Sequence, residues 1–171
     1  VFSRFGRLDV LVNNAGWTTS VPHHDLEALS DEIFKKTFEV NVYGTWWLTK
    51  AAMTHLRDSP DGNVINITSV AGVRPIGSSV AYSMTKAALN QMTVLLAKAV
   101  GPVRVNAVAP GLVTTPWTED WDEMHRLVAE KAPLGRAATA DEIAQAVLAL
   151  ATNSYVTGEI MVVDGGLTQV L

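Results

Sequence analysis

The chain of 171 residues contains no cysteine, no long apolar run and no long basic run. Without cysteine there can be no disulfide framework, no thiolate zinc site and no cysteine nucleophile. No apolar run approaches the roughly 20 residues that a membrane-spanning helix needs. Acidic residues outnumber basic ones by 17 to 13. In addition, no stretch of basic residues is long enough to neutralise a row of phosphates. These absences disfavour a membrane-spanning protein and a nucleic-acid-binding protein.

Two further patterns are missing. The histidines suggest no metal site, because His23 and His24 are adjacent while His55 and His125 lie far away in the sequence. None of the 12 glycines is separated from another by a single residue, so there is no Gly-x-Gly turn of the kind that binds dinucleotide phosphates. We therefore predict no metal, and any dinucleotide site here lacks its usual phosphate-binding turn.

The composition that remains fits one compact domain with a substantial core. Hydrophobic residues make up 48% of the chain and charged residues 18%, and the mean hydropathy is +0.18. The sequence opens with Val1 and shows no charged segment followed by an apolar one, as a secretion signal would. We expect a soluble, cytoplasmic protein.

Short β-branched runs alternate with helical segments along the chain. The predicted strands are residues 8–12, 64–68, 103–108 and 160–163. The predicted helices are residues 30–57, 81–100 and 139–151, with Ser30 as an N-cap and with Thr139 and Glu142 as a capping box. This alternation predicts an α/β fold with an open, mainly parallel sheet. Ligands bind such sheets at the carboxyl ends of the strands.

Residues 112–135 form the one long excursion between these elements. The segment contains two prolines, five acidic residues and the tryptophans Trp117 and Trp121. We expect it to act as a partly helical lid.

Ser69, Tyr82 and Lys86 are the candidate chemical residues. Tyr82 lies four residues before Lys86, so both share one face of a helix, and Ser69 follows the second strand. A phenol serves as an acid or base near neutral pH when its pKa of about 10 is lowered, and a neighbouring ammonium has that effect. Ser69 can hold a carbonyl or alcohol oxygen within reach of Tyr82. The pattern predicts carbonyl reduction once a hydride donor is present.

These residues belong to a series of motifs that resembles the classical short-chain dehydrogenase/reductase family over essentially the whole chain. The matching segments are Asn13-Asn14-Ala15-Gly16, Asn41, Ser69 in Asn-Ile-Thr-Ser, Tyr82-Ser-Met-Thr-Lys86, Pro110-Gly111 and Val163-Asp164-Gly165-Gly166. The resemblance implies a Rossmann-like doubly wound parallel sheet. It also implies an NAD(P)-dependent oxidoreductase that interconverts an alcohol and a ketone, similar to 3-oxoacyl reductases or to hydroxysteroid or sugar dehydrogenases.

The resemblance also implies catalytic roles. Tyr82 would be the acid/base, Lys86 would lower its pKa and bind the nicotinamide ribose, and Ser69 would stabilise the reacting oxygen. Asn41 would hold a water that joins Lys86 to a proton relay.

Cofactor-binding roles follow from the same resemblance. Asn13 would fix the first strand to its neighbours, Ala15 and Gly16 would let NAD or NADP lie close to the backbone, and Val113 and Thr115 match positions that contact the nicotinamide. The full expected set is Asn13, Ala15, Gly16, Tyr82, Lys86, Pro110, Gly111, Val113 and Thr115. The choice between NAD and NADP stays open.

The family pattern is incomplete at the N-terminus. Residues 5–9 resemble the approach to the family's fourth strand, so three strands and their helices, on the order of seventy residues, are absent. Residues 1–171 would then be the C-terminal two-thirds of a single domain. We expect cofactor affinity to be lower by several kcal/mol and strand 8–12 to form an apolar edge. The polypeptide is then expected to be a fragment of a longer product or to depend on a partner chain.

Bulky side chains near these motifs are the expected walls of a substrate pocket. Trp17, Ile76, Trp117 and Trp121, with Arg74 and Pro75 beside Ile76, suggest a bulky or apolar small-molecule substrate. The alternative for the tryptophans is ordinary core or interface packing.

The resemblance further implies a homo-oligomer, a dimer or tetramer, formed through the two long helices. Trp46 and Trp47 are expected at a helix interface, and residues 167–171 are expected to join the contact between subunits.

Two other functions compete with the oxidoreductase. A truncated, non-catalytic paralogue acting as a subunit or interaction module would explain the missing glycine turn. A serine hydrolase based on Ser69 is disfavoured, because Ser69 is not in a Gly-x-Ser-x-Gly motif and no histidine is marked as its base.

Overall fold

The computed structural model describes residues 1–170, which form an α/β fold around a four-stranded parallel sheet. The strands are β1 (Val10–Asn13), β2 (Asn63–Ile67), β3 (Arg104–Pro110), β4 (Val113–Thr114), β5 (Ala138–Thr139) and β6 (Ile160–Val163). The helices are α1 (Phe2–Phe5), α2 (Asp31–Phe38), α3 (Gly44–Arg57), α4 (Val80–Ala99), α5 (Asp122–Lys131) and α6 (Ala140–Thr152). A π-helical turn (Glu39–Tyr43) joins α2 to α3, and two 3₁₀ turns cover Val70–Gly72 and Leu167–Gln169.

The main sheet has the order β1-β2-β3-β6, and all of its pairings are parallel. The predicted doubly wound parallel sheet is confirmed. Among the described residues β1 has a neighbour on one side only, and Val10 and Val12 are 38% and 41% exposed. The expected apolar edge strand is therefore present.

Side chains of β2 alternate between two apolar layers, which explains why helices cover both faces of the sheet. Val64 packs with Leu56 of α3 and with Val105 on one face. Ile65 packs with Leu150 of α6 on the other face. Fully burying side chains of this size stabilises the fold by about 1.5–3 kcal/mol each.

The segment from residue 30 to residue 57 is not the single α-helix that the sequence predicts. Ser30 caps α2 as expected, since its Oγ accepts a hydrogen bond from the Ile33 amide at 3.3 Å. The π turn then interrupts the regular hydrogen bonding, and the Thr45 hydroxyl donates to the Asn41 carbonyl oxygen at 2.8 Å. Such a turn inserts an extra residue and directs Asn41 inward, where it is fully buried.

The predicted lid at residues 112–135 is confirmed as partly helical by α5. The short parallel pair β4–β5, which holds both ends of this segment, was not predicted, because two-residue strands carry no periodic signal.

The end of the chain packs differently from the expectation. Leu167 is buried against Val128 and Ala132 of the lid region and so is not available for a contact between subunits. That expectation is wrong for Leu167, and Leu171 lies outside the described residues.

Within residues 1–170, no helix is both long and apolar enough to cross a membrane. The same part of the chain contains no group of three His, Asp or Glu side chains that could hold a metal ion.

Candidate active site

A cavity of about 1060 Å³ opens at the carboxyl ends of the central strands. Asn14 follows β1, Ser69 follows β2 and Gly111 follows β3, and all three line this cavity. Parallel strands bring their carboxyl ends to one edge of the sheet, which is why residues far apart in sequence meet here.

Tyr82 and Lys86 line the cavity from the first turns of α4, as the sequence predicts. The helix begins at a well-defined point, because the Ser79 Oγ accepts a hydrogen bond from the Tyr82 amide at 3.1 Å. The Lys86 Nζ lies 5.5 Å from the centroid of the Tyr82 ring and donates to the Ile67 carbonyl oxygen at 2.9 Å. Lys86 is 4% exposed, so its ammonium is held at one place beside the phenol.

Burial governs the pKa values of this pair. It raises the pKa of the Tyr82 phenol above its ordinary value, and a hydrogen bond with the Ser69 hydroxyl acts in the opposite direction. Burial also lowers the pKa of Lys86 to about 8. Loss of solvent around the phenol therefore has the larger effect on the Tyr82 pKa in this structure, and the lowering by Lys86 stays a prediction.

Gly16 lies directly in front of the Lys86 ammonium. A Cβ atom at this position would be 3.7 Å from the Lys86 Nζ and 3.7 Å from the Asn41 Oδ1, so any longer side chain would fill the space between them. Lys86 has three N–H donors and uses one on Ile67, which leaves donors for a ligand placed over Gly16.

Asn41 fixes the turn at Trp17 to helix α4. Its Oδ1 accepts from the Trp17 amide at 2.7 Å, and its Nδ2 donates to the Trp17 carbonyl oxygen and to the Thr85 Oγ1, both at 3.0 Å. Both side-chain amide hydrogens are thus in use. The role of Asn41 in holding a relay water stays a prediction.

Asn13 crosslinks the strands, as the resemblance implied. Its Nδ2 donates to the Asn66 Oδ1 at 2.9 Å and to the Thr49 Oγ1 at 3.0 Å, and the Asn66 Nδ2 donates to the Thr93 Oγ1 at 2.9 Å. This buried polar row runs from α3 across β1 and β2 to α4. Neither Asn13 nor Ala15 lines the cavity, and their place in the cofactor site stays a prediction.

The remaining predicted cofactor residues, Pro110, Gly111, Val113 and Thr115, all line the cavity. A Cβ on Gly111 would lie 2.9 Å from the Asp164 Cβ, so the close approach of the two segments requires glycine. Sequence reasoning missed Thr118, which donates to the Val113 carbonyl oxygen and accepts from the Thr115 amide. These bonds hold the strand-like turn after Gly111 in place.

Sequence reasoning also missed Gly72, whose position became evident only in three dimensions. A Cβ there would lie 2.6 Å from the Lys86 carbonyl carbon, and the Gly72 oxygen accepts from the Asn90 Nδ2 at 3.1 Å. The glycine therefore lets the turn after Ser69 pack directly on α4 beside Lys86.

Comparison with known proteins identifies the family. The family model described as Enoyl-(Acyl carrier protein) reductase matches residues 1–168. A solved structure of a short chain dehydrogenase/reductase family protein, 37% identical, superposes with a TM-score of 0.84 over 96% of this chain and 69% of that one. The chain belongs to the short-chain dehydrogenase/reductase family.

Three members of the short-chain dehydrogenase/reductase family show the range of similarity. Ketoacyl reductase 2 of the granaticin polyketide synthase from Streptomyces violaceoruber is 48% identical over 95% of this chain and 67% of its own length. The 3-oxoacyl-[acyl-carrier-protein] reductase of Thermotoga maritima is 37% identical over 98% of this chain and 69% of its own. The solved structure of ElxO with NADP bound is 30% identical, with a TM-score of 0.88 over 98% of this chain and 70% of that one. The chain thus spans about two thirds of the length of these relatives.

The expected substrate walls of this short-chain dehydrogenase/reductase divide into two groups. Ile76, Trp117 and Trp121 line the cavity, and the two indole rings lie 6.5 Å apart at 60°. Trp17 does not line it, because its indole lies under the Lys36 ammonium, 4.4 Å from Nζ to the ring centroid. The assignment of Trp17 as a substrate wall is therefore wrong in this structure.

Helix α5 supplies apolar walls that the sequence alone did not single out. Met124, Leu127 and Val128 line the cavity beside the two tryptophans. Their spacing along one helical face is the signal that was available.

Proposed function

We propose that this chain carries the catalytic and substrate-binding part of an NAD- or NADP-dependent oxidoreductase that interconverts a ketone and a secondary alcohol. The observation that carries the proposal is the meeting of Ser69, Tyr82 and Lys86 at one cavity, at the carboxyl edge of the sheet. The named relatives, among them a ketoacyl reductase, support the same reaction class.

The residues around Gly16 fit the nicotinamide end of such a cofactor. Gly16 leaves open space before the Lys86 ammonium, and Gly111 and Thr115 line the opposite wall. When bound, the nicotinamide supplies or accepts the hydride. The ElxO structure with NADP bound supports this cofactor class.

Tyr82 would donate the proton to the carbonyl oxygen during reduction. A phenol of ordinary pKa, about 10, is already protonated at neutral pH. Burial raises the Tyr82 pKa further and makes the phenol a weaker acid, so donation needs a positive charge that stabilises the phenolate. The Ser69 Oγ accepts from the Ala71 amide at 3.1 Å, which holds the hydroxyl beside Tyr82. Its hydroxyl would exchange the hydrogen bond with Tyr82 for one to the same carbonyl oxygen. As Tyr82 gives up its proton, the nearby Lys86 ammonium stabilises the phenolate that forms.

The walls suit a ketone with an apolar or aromatic body. Ile76, Trp117 and Trp121 present hydrocarbon and indole surfaces that such a body would cover. This favours a steroid-type substrate.

A homo-oligomer is part of the proposal. The two long helices and the π turn carry large apolar side chains that are at least 43% exposed, an arrangement that marks interaction surfaces. These side chains are Tyr43, Trp46, Trp47, Leu48, Met84, Val94 and Leu95.

A non-catalytic interaction module is the competing function. Titration of the chain with NADH and NADPH by calorimetry, followed by absorbance assays of ketone reduction, separates the two. We expect Tyr82→Phe to slow reduction by about 100- to 10,000-fold, because it removes the proton donor. A melting temperature of Tyr82→Phe close to that of the unmodified chain shows that the variant is folded.

Tyr155→Phe is the matched control, since Tyr155 is 99% exposed and outside the cavity. It should keep the full rate. If Tyr82→Phe reduces ketones as fast as the unmodified chain, the assigned mechanism is wrong. If neither cofactor binds, the interaction module is the better description.

A further inference from the structure

The charges around the cavity are distributed unevenly. Its lid side carries three carboxylates and one guanidinium, belonging to Asp120, Asp122, Glu123 and Arg126. The one other charged residue that lines the cavity in the described chain is Lys86. That ammonium is buried and bonded to the Ile67 carbonyl oxygen. The lid residues therefore give their part of the cavity wall an excess of negative charge.

These carboxylates are not neutralised by ion pairs. Within residues 1–170 the salt bridges involve Asp9, Asp31, Asp61 and Glu142, and none involves an acidic residue of the lid. Asp122 and Glu123 occupy the first turn of α5, where the helix offers a partial positive charge of roughly half an elementary charge. That partial charge offsets less than one of the three carboxylates.

Aromatic surface lies next to this charge. Trp117 is 51% exposed although it lines the cavity, so a ligand that covers it would bury apolar area. Trp121 stands beside it at an angle of 60°, and both indole faces attract flat aromatic groups and cations. Aromatic faces and carboxylates together favour a cation and oppose an anion.

We propose that the lid selects the substrate by charge, so that the site takes aromatic or apolar ketones that are cationic or neutral and disfavours those that carry a carboxylate or phosphate. This inference rests on the proposed function and adds the charge class of the substrate.

The expected size of the effect is modest, because the charges are exposed. An excess of two charges about 8 Å from a ligand charge, in water-like surroundings, changes affinity by about sixfold without salt and about twofold at 0.1 M salt, so a cation and an anion differ by about fivefold or more. The difference in affinity that the charges cause should shrink as salt is added, whereas the contribution of the indole contacts to affinity should stay the same.

Three ketones that share one acetophenone body test the inference. They are para-(trimethylammonio)acetophenone, methyl para-acetylbenzoate and para-acetylbenzoate, which carry a positive, a zero and a negative charge. Calorimetric titration of the chain should give the tightest binding for the cation and the weakest for the anion, with about fivefold or more between these two at low salt.

A charge-removal variant isolates the contribution of the lid. Asp120→Asn, Asp122→Asn and Glu123→Gln together should bring the three affinities close to one another. The matched control removes the same charge from exposed carboxylates outside the cavity, at Glu27, Glu32 and Glu39, each changed to Gln. This control variant should bind the three ketones in the same order of affinity as the unmodified chain.

Each outcome decides one question. Equal binding of the three ketones, or tightest binding of para-acetylbenzoate, would overturn charge selection by the lid. Binding of none of them would overturn the claim that this cavity takes aromatic ketones. Because binding is measured without hydride transfer, ordered binding with no turnover would count against the proposed reaction alone.

Discussion

Thr85 connects the two halves of the site at the scale of single residues. It is fully buried, accepts a hydrogen bond from the Asn41 Nδ2 and donates to the Tyr82 carbonyl oxygen at 2.7 Å. Asn41 in turn holds both backbone groups of Trp17. The turn next to Gly16 is therefore tied to the helix that carries the candidate acid.

Thr85→Val should loosen this connection without a change of shape. We expect a loss of about 1–3 kcal/mol in the free energy of unfolding, because one Asn41 amide hydrogen is left buried without a partner. We also expect the Trp17 amide to exchange with solvent about tenfold faster. Urea unfolding and hydrogen exchange measure the two effects.

Thr93→Val is a close control for this prediction. Thr93 is also fully buried, accepts from Asn66 and donates to the Leu89 carbonyl oxygen at 2.8 Å, but it has no contact with the Trp17 turn. It should lose similar stability and leave Trp17 exchange unchanged. Equal exchange rates at Trp17 in both variants would show that Thr85 has no special positioning role.

At the scale of elements, helix α6 begins with the predicted capping box. The Thr139 Oγ1 accepts from the Glu142 amide at 3.3 Å, and the Glu142 carboxylate accepts from the Thr139 amide at 2.8 Å. Arg136 adds an ion pair at 2.6 Å. Arg136, followed by the backbone amide of Thr139, lowers the pKa of Glu142 to about 2.

This shift predicts a dependence of stability on pH. The folded-state pKa lies below the ordinary value of 4.5, so the stabilisation is present above that pH and is lost as the pH falls towards about 2. Glu142→Gln should therefore unfold at lower urea than the unmodified chain above pH 4.5, and the gap should narrow on acidification. In Glu27→Gln, which removes a carboxylate with no ion pair in residues 1–170, any gap should stay nearly constant. A gap for Glu142→Gln that is the same at every pH would contradict the assignment.

The elements also show where sequence reasoning is sufficient. Strand β6 was predicted with its exact bounds, because a short β-branched run before Asp164, Gly165 and Gly166 is a strong local signal. The π turn at Asn41 was missed, because it changes hydrogen bonding inside a segment whose periodicity remains helical. The close approach at Gly72 was missed for another reason: it depends on where α4 lies, which local sequence does not specify.

The residues of the candidate site also divide into those that the sequence placed at the cavity and those that it did not. Tyr82, Lys86 and Ser69 were found because their chemistry and spacing are distinctive. Trp17 was misassigned, because the direction of its side chain depends on a contact with Lys36 of helix α2, which the local sequence around Trp17 does not reveal.

At the scale of the whole molecule, the exposed apolar surface predicts self-association. Trp47 of α3 is 58% exposed and lies beside Tyr43, with ring centroids 6.0 Å apart. If this surface joins subunits, Trp47→Glu should shift the mass measured by light scattering towards that of a single chain, because the charge would be buried at the contact.

Leu148→Glu serves as the control, since Leu148 is 61% exposed on α6, which covers the opposite face of the sheet. It should leave the mass unchanged. A single-chain mass for the unmodified protein would refute association through α3.

The polar row from Thr49 through Asn13 and Asn66 to Thr93 bears on how β1 chooses its neighbour. A shift of β1 by one residue against β2 would turn Asn13 to the other face of the sheet, away from Thr49, and would separate it from Asn66. An apolar strand that displaced β2 would leave the same amide buried and unpaired. The amide thus makes β1 selective for β2 on its paired side, whereas the opposite edge of β1 has no such selectivity and can accept a foreign strand.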